Sequence, residues 1–519
     1  MKQQEWVLTR KKLLKKIKAQ VFERLGRPST ALTQYAKRLV GEFRGHWREV
    51  KPEELLKAVV TSDVIFGSDF HAHSQSQRAH VRILRSLPKG RRVVLALECL
   101  CAEDDASIAA YLSGEMDEDE FLKAVNWAAI WGFPWAHYKP IFDLARQNGY
   151  RIQGLSRRRD VKKGTLSRRD DRMANDIAKI QVQFEDALVY VMVGELHLAY
   201  VHLPESWAER MPGSRATIIY QDAESLYFRL AEQSRDQSVD VLRSGERFCL
   251  MVSPPWVKWQ SYLTYLEQTY DRDLDEEENI DYSDQIRSLV ELLAKDLKIE
   301  VATSHLQVYT PASKETLKQL KRNINRKWWT TLFKFLEDDR SFLLPKQGLI
   351  YLSGPTLNRA ASMAGEFLHA QICFRSEPLW NGTEIFESLI WVEAVAFFFS
   401  KWINPKRKAE KHENLQFQLT IRSPRDRGRK VLLMALDQKM SEIVWLKTGR
   451  KRKRQGPSAR NKMDSIEASR ILGSMLGEQL FLRFREGGIE NGQLLEWLQF
   501  SPTDSDFDEF YLRLLKRLK

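Results

Sequence analysis

Three short apolar runs in the first half of the chain lead straight into ionisable residues. Val64-Ile65-Phe66 opens into Gly67-Ser68-Asp69-Phe70-His71-Ala72-His73, Val93–Leu97 into Glu98, and Ala187–Val193 into Gly194-Glu195-Leu196-His197. A shorter run, Tyr150–Leu155, ends in Ser156-Arg157-Arg158. Imidazoles and carboxylates together can hold a divalent metal through nitrogen and oxygen, and a metal so held turns bound water into a nucleophile. Without metal, a His–carboxylate pair can serve as a general base. The expected metal ligands are therefore Asp69, His71, Glu98, Glu195 and His197, and the expected catalytic set is His71, Glu98 and His197 with Arg157. His73 shares a face with His71 in extended backbone, since residues two apart do so, and ranks below it. One polar strand end is ordinary. Three that carry His or Glu argue for a common use, because a buried strand has little reason to end in charge.

The elements that must position these groups are strands and helices in alternation. Each apolar run suits a strand covered on both faces, and helical stretches separate them: Gln77–Leu87, Asp105–Asn148 with breaks at Gly132 and Pro134, and Asp170–Ile180. Alternation of this kind implies βαβ units and a mainly parallel sheet flanked by helices. Ligands of such sheets bind beyond the carboxyl ends of the strands, which is where the ionisable residues would gather. The fold class is α/β there, followed by a mostly α-helical C-terminal region. The chain divides into a basic helical segment over 1–60, the α/β domain over 61–240, an acidic linker region over 241–285 and a helical domain over 286–519.

The elements GSDFHAHSQSQRAH, VVLALE, FPWAHYKPIFDLARQNGYRIQGLS, RDDRMANDI and VYVMVGELHLAYV resemble those of ChaN-like proteins, in the superfamily that includes the Tiki metalloproteases and the erythromycin esterases. The resemblance spans about residues 63–203. Its hallmark is two Gly-Glu-x-His elements with an isolated strand-end Glu between them. Gly194, Glu195 and His197 meet the second in full, and Glu98 fits the isolated Glu. The first departs, with Ser68 at the Gly position and Asp69 at the Glu position, which keeps the carboxylate on a shorter arm. The resemblance implies haem binding and iron acquisition on one branch, and hydrolysis with the same His and Glu positions on others. A haem would want an axial Tyr, His or Met beside an apolar slot, and His137 and Tyr138 in the Trp-rich stretch are the local candidates. The leading expectation is a ligand-binding protein for haem or a divalent metal ion. The alternative is a metal-dependent or His/Glu-based hydrolase.

Composition bounds the rest. The 519 residues include 82 Lys+Arg against 69 Asp+Glu, a net charge of +13. Such a surplus concerns partners, not fold, so a basic adaptor for nucleic acid or an anionic membrane surface is a third expectation, and a homodimer a fourth. Four Cys without CxxC spacing exclude a disulfide scaffold. The longest apolar stretches fall short of the ~20 residues that cross a bilayer, and the basic N-terminus lacks a secretory apolar core, so a cytoplasmic protein is expected. Trp6, Val7, Leu13, Leu14, Ile17 and Val21 mark one face of an N-terminal amphipathic helix, read as docked on the protein's own core. Lys406-Arg407-Lys408 and Lys447–Arg454 are phosphate-binding candidates without a nucleic-acid module beside them. Gly365-Glu366-Phe367-Leu368-His369 holds a single Glu-x-x-His, and Leu415–Ile421 reads as β-like.

Overall fold

The computed structural model describes residues 3–158, 165–270, 282–310, 322, 324–354, 356–379, 386–423, 426–450 and 462–519. The chain forms two compact units, Gln3–Leu266 and Glu267–Lys519.

The first unit is built on one eight-stranded sheet. Its strands are β1 (Arg48–Glu49), β2 (Val64–Asp69), β3 (Val93–Cys101), β4 (Arg151–Ser156), β5 (Leu188–Gly194), β6 (Ala216–Gln221), β7 (Val241–Ser244) and β8 (Arg247–Leu250). They lie in the order β1-β7-β8-β6-β2-β5-β3-β4. Every pairing from β8 through β4 is parallel, and the β7–β8 and β1–β7 pairings are antiparallel. The mainly parallel sheet is thus as the sequence implies. Its central strands are apolar without alternation because helices cover both faces: all residues of β2 and β3 are buried. On one face Leu84 and Ile141, from helices Ser74–Arg85 and Trp135–Asn148, join Leu95 and Tyr190 of the sheet in one core.

Register sets the site. Asp69 on β2 pairs with Gly194 on β5, so these two strand ends are level. β3 does not stop at Leu97, as its apolar run suggests, but continues to Cys101. Its pairing with β4 shifts between Leu97 and Cys101, which puts Glu98 in an irregularity within the strand. Such a break re-aims a side chain. The strands approach so closely there that a Cβ on Gly154 would stand 2.3 Å from the Cys101 carbonyl oxygen.

Two expected boundaries move. The N-terminal helix Gln3–Leu25 buries Trp6, Val7, Leu14, Ile17 and Val21. Its Trp6 meets Trp256 at 5.8 Å, and Lys11 and Lys18 pair with Glu232 and Glu224 at 2.9 and 2.6 Å. Its apolar stripe and part of its basic rim are used within the sheet unit. Residues 241–250, placed in a linker by sequence, supply β7 and β8; the acidic run over 271–284 lies outside the described residues as far as 281.

The second unit is mostly helical. Helix Phe386–Ile403 is apolar on nearly all sides and correspondingly buried, with Leu357–Ile372 and Lys462–Arg485 packed against it. Gly477 permits a close crossing, for a Cβ there would stand 2.3 Å from the Ala394 carbonyl oxygen. A small sheet has the order β10-β11-β9, from β9 (Gln307–Tyr309), β10 (Phe342–Leu344) and β11 (Leu349–Tyr351). Leu415–Ile421 is not a strand but part of helix His412–Ile421, of which only Leu415 is buried; an apparent alternation on a solvated surface carries no register. Of the basic run Lys447–Arg454, positions from 451 onward lie outside the described residues. Among the described residues no helix is long and apolar enough to cross a membrane.

Candidate functional site

The strands β2, β5 and β3 are neighbours, and their carboxyl ends bring His71, Glu98 and His197 together. Glu98 is the hub, only 4% exposed. Its Oε2 accepts the Gly194 backbone N–H at 2.7 Å, and its Oε1 accepts from Arg169. His197 Nε2 lies 3.4 Å from the same Oε1. The other ring nitrogen of His197 bonds Asp170, whose second oxygen accepts the Tyr35 hydroxyl at 3.1 Å. On the opposite side His71 Nδ1 lies 3.0 Å from Asp69 Oδ2. The Tyr138 hydroxyl donates to that same oxygen at 2.7 Å, and the Gln77 amide donates to Oδ1. With Nδ1 on a carboxylate, the His71 ring turns Nε2 toward β5. A Cβ on Gly194 would stand 3.2 Å from that nitrogen and 3.4 Å from Glu98 Oε2. Two Asp–His pairs therefore flank one glutamate, and the glycine keeps the gap open.

Charge follows from this packing. Burial disfavours the Glu98 anion, but His197, Arg169 and His71 outweigh it and hold the carboxyl well below the usual range. Burial also opposes charge on His197, yet Glu98 and Asp170 push it up to about 9. His71 is raised for a similar reason, its burial overcome by Asp69 and Glu98. The Tyr138 hydroxyl is raised by burial and by Asp69.

Of these groups His71 is the more accessible imidazole, with 24% of its side chain exposed against 4% for His197. It lines a cavity of about 250 Å³. Trp131, Phe133, Leu155 and Met173 form apolar walls, and Arg157, Arg169 and Arg172 supply the cations. The His71 ring meets Trp131 edge-on at 4.4 Å and Phe133 at 5.0 Å. Arg157 is steadied by Asp176 at 2.6 Å.

Other expected residues lie elsewhere. Glu195 does not join Glu98; its carboxylate accepts from buried Lys258 at 2.8 Å. Tyr138 does not face the cavity, because its hydroxyl is buried against Asp69. His137 is half-buried, and its Nδ1 lies 3.3 Å from the His71 carbonyl oxygen. His73 is buried between Ser253 and Ser261, and burial lowers it to about 3. Among the described residues no three His, Cys, Asp or Glu are grouped to hold an ion. Of the expected ligands, Glu195 is drawn to Lys258, and Asp69, Glu98 and His197 are engaged by Tyr138, Arg169 and Asp170. Sequence reading missed Arg169, Asp170, Tyr35 and Gln77 as site members. Arg169 and Asp170 open a helix that reads as ordinary amphipathic surface, and Tyr35 and Gln77 carry no strand-end signal at all.

No curated protein matches the chain. Among solved structures, one described as cofacial heme binding to ChaN of Campylobacter jejuni is similar at 14% identity, over 34% of this chain and 87% of that one, with a TM-score of 0.27. Residues 55–167, which carry β2 to β4 with Asp69, His71, Glu98 and Arg157 but stop short of Gly194 and His197, match the family described as haem-binding uptake, Tiki superfamily, ChaN.

Proposed function

We propose that the α/β unit binds a planar apolar ligand bearing acidic groups, of the haem class, against His71. One observation carries this reading: a part-exposed imidazole, fixed at Nδ1 by a carboxylate, opens on a cavity with aromatic walls and three arginines. A haem-ligating histidine characteristically gives its other ring nitrogen to a carboxylate or carbonyl. Arginine is the natural partner of a ligand carboxylate, through paired N–H donors. The residues present fit such a group. His71 would hold the iron, Trp131 and Phe133 the ring, and Arg157 and Arg172 the acidic edge. Haem, when bound, would supply a redox-active iron able to exchange a ligand. At about 250 Å³ the cavity is below the roughly 300–1,000 Å³ usual for enclosed ligands, so the ligand would lie partly outside it. The match of residues 55–167 to a haem-binding family supports the reading. Haem titration of the purified protein tests it: a Soret band should develop, and His71→Ala should abolish or shift it. An unchanged band in that variant would remove His71 from the role.

The Asp69–His71 pair favours a second reading, a His-based hydrolase. Asp69 fixes the imidazole tautomer, as a general base requires. Turnover of small acidic esters, lost in both His71→Ala and Asp69→Asn, would support it; absence of turnover in the wild type would end it.

A further inference from the structure

The helical unit holds a cavity of about 400 Å³ whose charged lining is only partly paired. Arg359 pairs with Asp339, and Arg340 and Arg470 share Glu467. Arg407 is different. Its guanidinium donates to Ser362 Oγ at 2.7 Å, lies 4.4 Å over the Phe397 ring, and has no carboxylate within ion-pair distance among the described residues. It is a cation held in place by neutral groups. In the same cavity Glu393, half-buried, makes no hydrogen bond or ion pair with a described residue. Burial, with the Glu366 carboxylate adding to it, keeps the Glu393 carboxyl up to about 7 even beside Arg470, Arg340 and Arg407. Burial, then the like charge of Arg470, lowers both Arg340 and Arg407 to about 10. Glu410 also lines the cavity, and so does Glu366, which is held by Arg375 at 3.2 Å; guanidinium groups that repel one another, beside a Glu393 carboxyl that can donate a proton, suit a bound oxyanion. Phe335, Phe342 and Met363 give the same cavity an apolar wall, and its volume lies within the usual range for small ligands.

We propose that this cavity is a second ligand site, distinct from the His71 pocket, for an organic phosphate: the phosphate on Arg407 and Arg470, and an apolar body against Phe335 and Phe342. Arginine pairs suit phosphate oxygens. The site gives a use to the Lys406-Arg407-Lys408 run, of which Arg407 and Lys408 line the cavity. It does not depend on the reading of the α/β unit.

The test is fluorescence titration of the full chain at pH 7.5 with 1-naphthyl phosphate, and with uncharged 1-naphthol as control. Expected are saturable binding of the phosphate in the micromolar range, competition by inorganic phosphate and weak or no binding of naphthol. Arg407→Gln should weaken the phosphate at least tenfold. Arg470→Gln, at a half-exposed residue whose loss should leave the thermal midpoint unmoved, should weaken it about fivefold. Glu393→Gln should hold or tighten it, because a permanent donor replaces an ionisable one. The proposal is overturned if naphthol binds as well as the phosphate, if neither binds at millimolar concentration, or if Arg470→Gln folds normally and binds as the wild type does.

Discussion

Replacing His197 with Gln should remove a specific pH dependence of stability. His197 is 3% exposed and lies between Glu98 and Asp170. Its pKa rises from 6.5 to about 9 because both neighbours favour the cation more than burial penalises it. A histidine raised in this way stabilises the folded chain in full below about pH 6.5, and that contribution disappears as pH rises to about 9. At ~1.36 kcal/mol per pKa unit the amount is on the order of 3 kcal/mol. Glu98 is ionised across the whole window, since its carboxyl sits well below the usual range, so it adds no slope. The assay is urea unfolding of the α/β unit from pH 6 to 10, followed by amide exchange in β5, for wild type and His197→Gln. The stability difference between them should shrink by about that amount as pH rises. A difference flat across the window, or a His197 ring titrating near 6.5 by NMR, would refute the claim that Glu98 and Asp170 hold a buried imidazolium.

On the proposed haem-class reading, Gly194→Ala should lower haem affinity about tenfold with little change in thermal midpoint, because the new methyl would press on His71 Nε2 at 3.2 Å in a backbone that any residue can adopt; isothermal titration checks it. Glu98→Gln should cost about 2 kcal/mol in urea unfolding, since Arg169 loses its partner but keeps partial access to water. Lys258→Met should cost a similar ~2 kcal/mol by leaving Glu195 without its cation, yet should leave haem binding within about twofold. Gly154→Ala should destabilise by about 3 kcal/mol or more, because the clash is with the Cys101 backbone and not with a movable side chain; failure of that variant to shift the unfolding midpoint would contradict the tight β3–β4 approach.

Much of the α/β unit was legible because its signals are long and uninterrupted. The runs around Val64, Val93 and Val189 are too apolar to stand anywhere but inside a parallel sheet, and their ends converge because parallel strands share a carboxyl edge. β7 and β8 were not legible. Each is four residues long, and β7 alternates no more clearly than a loop; it takes β8 beside it to make a strand of Val241–Ser244. Asp170 and Arg169 escaped for another reason. They are held by groups distant in sequence, Tyr35, Glu98 and His197, and an ionisable residue on a helix looks the same whether it faces water or another side chain. Glu195 shows the converse. It sits at a strand end as the pattern requires, but Lys258, more than sixty positions on, draws it aside.

The strand order carries a consequence for biogenesis. β2 and β3 leave the ribosome early, yet they never touch; β5, made about ninety residues after β3 begins, slots between them. Until it does, each has an unsatisfied edge facing a vacant slot, and such edges invite pairing with other chains. The nascent half-sheet is therefore the vulnerable species, and slow non-local closure prolongs its life. A chain truncated before Leu188 should be a poor candidate for soluble expression, however complete its early strands look.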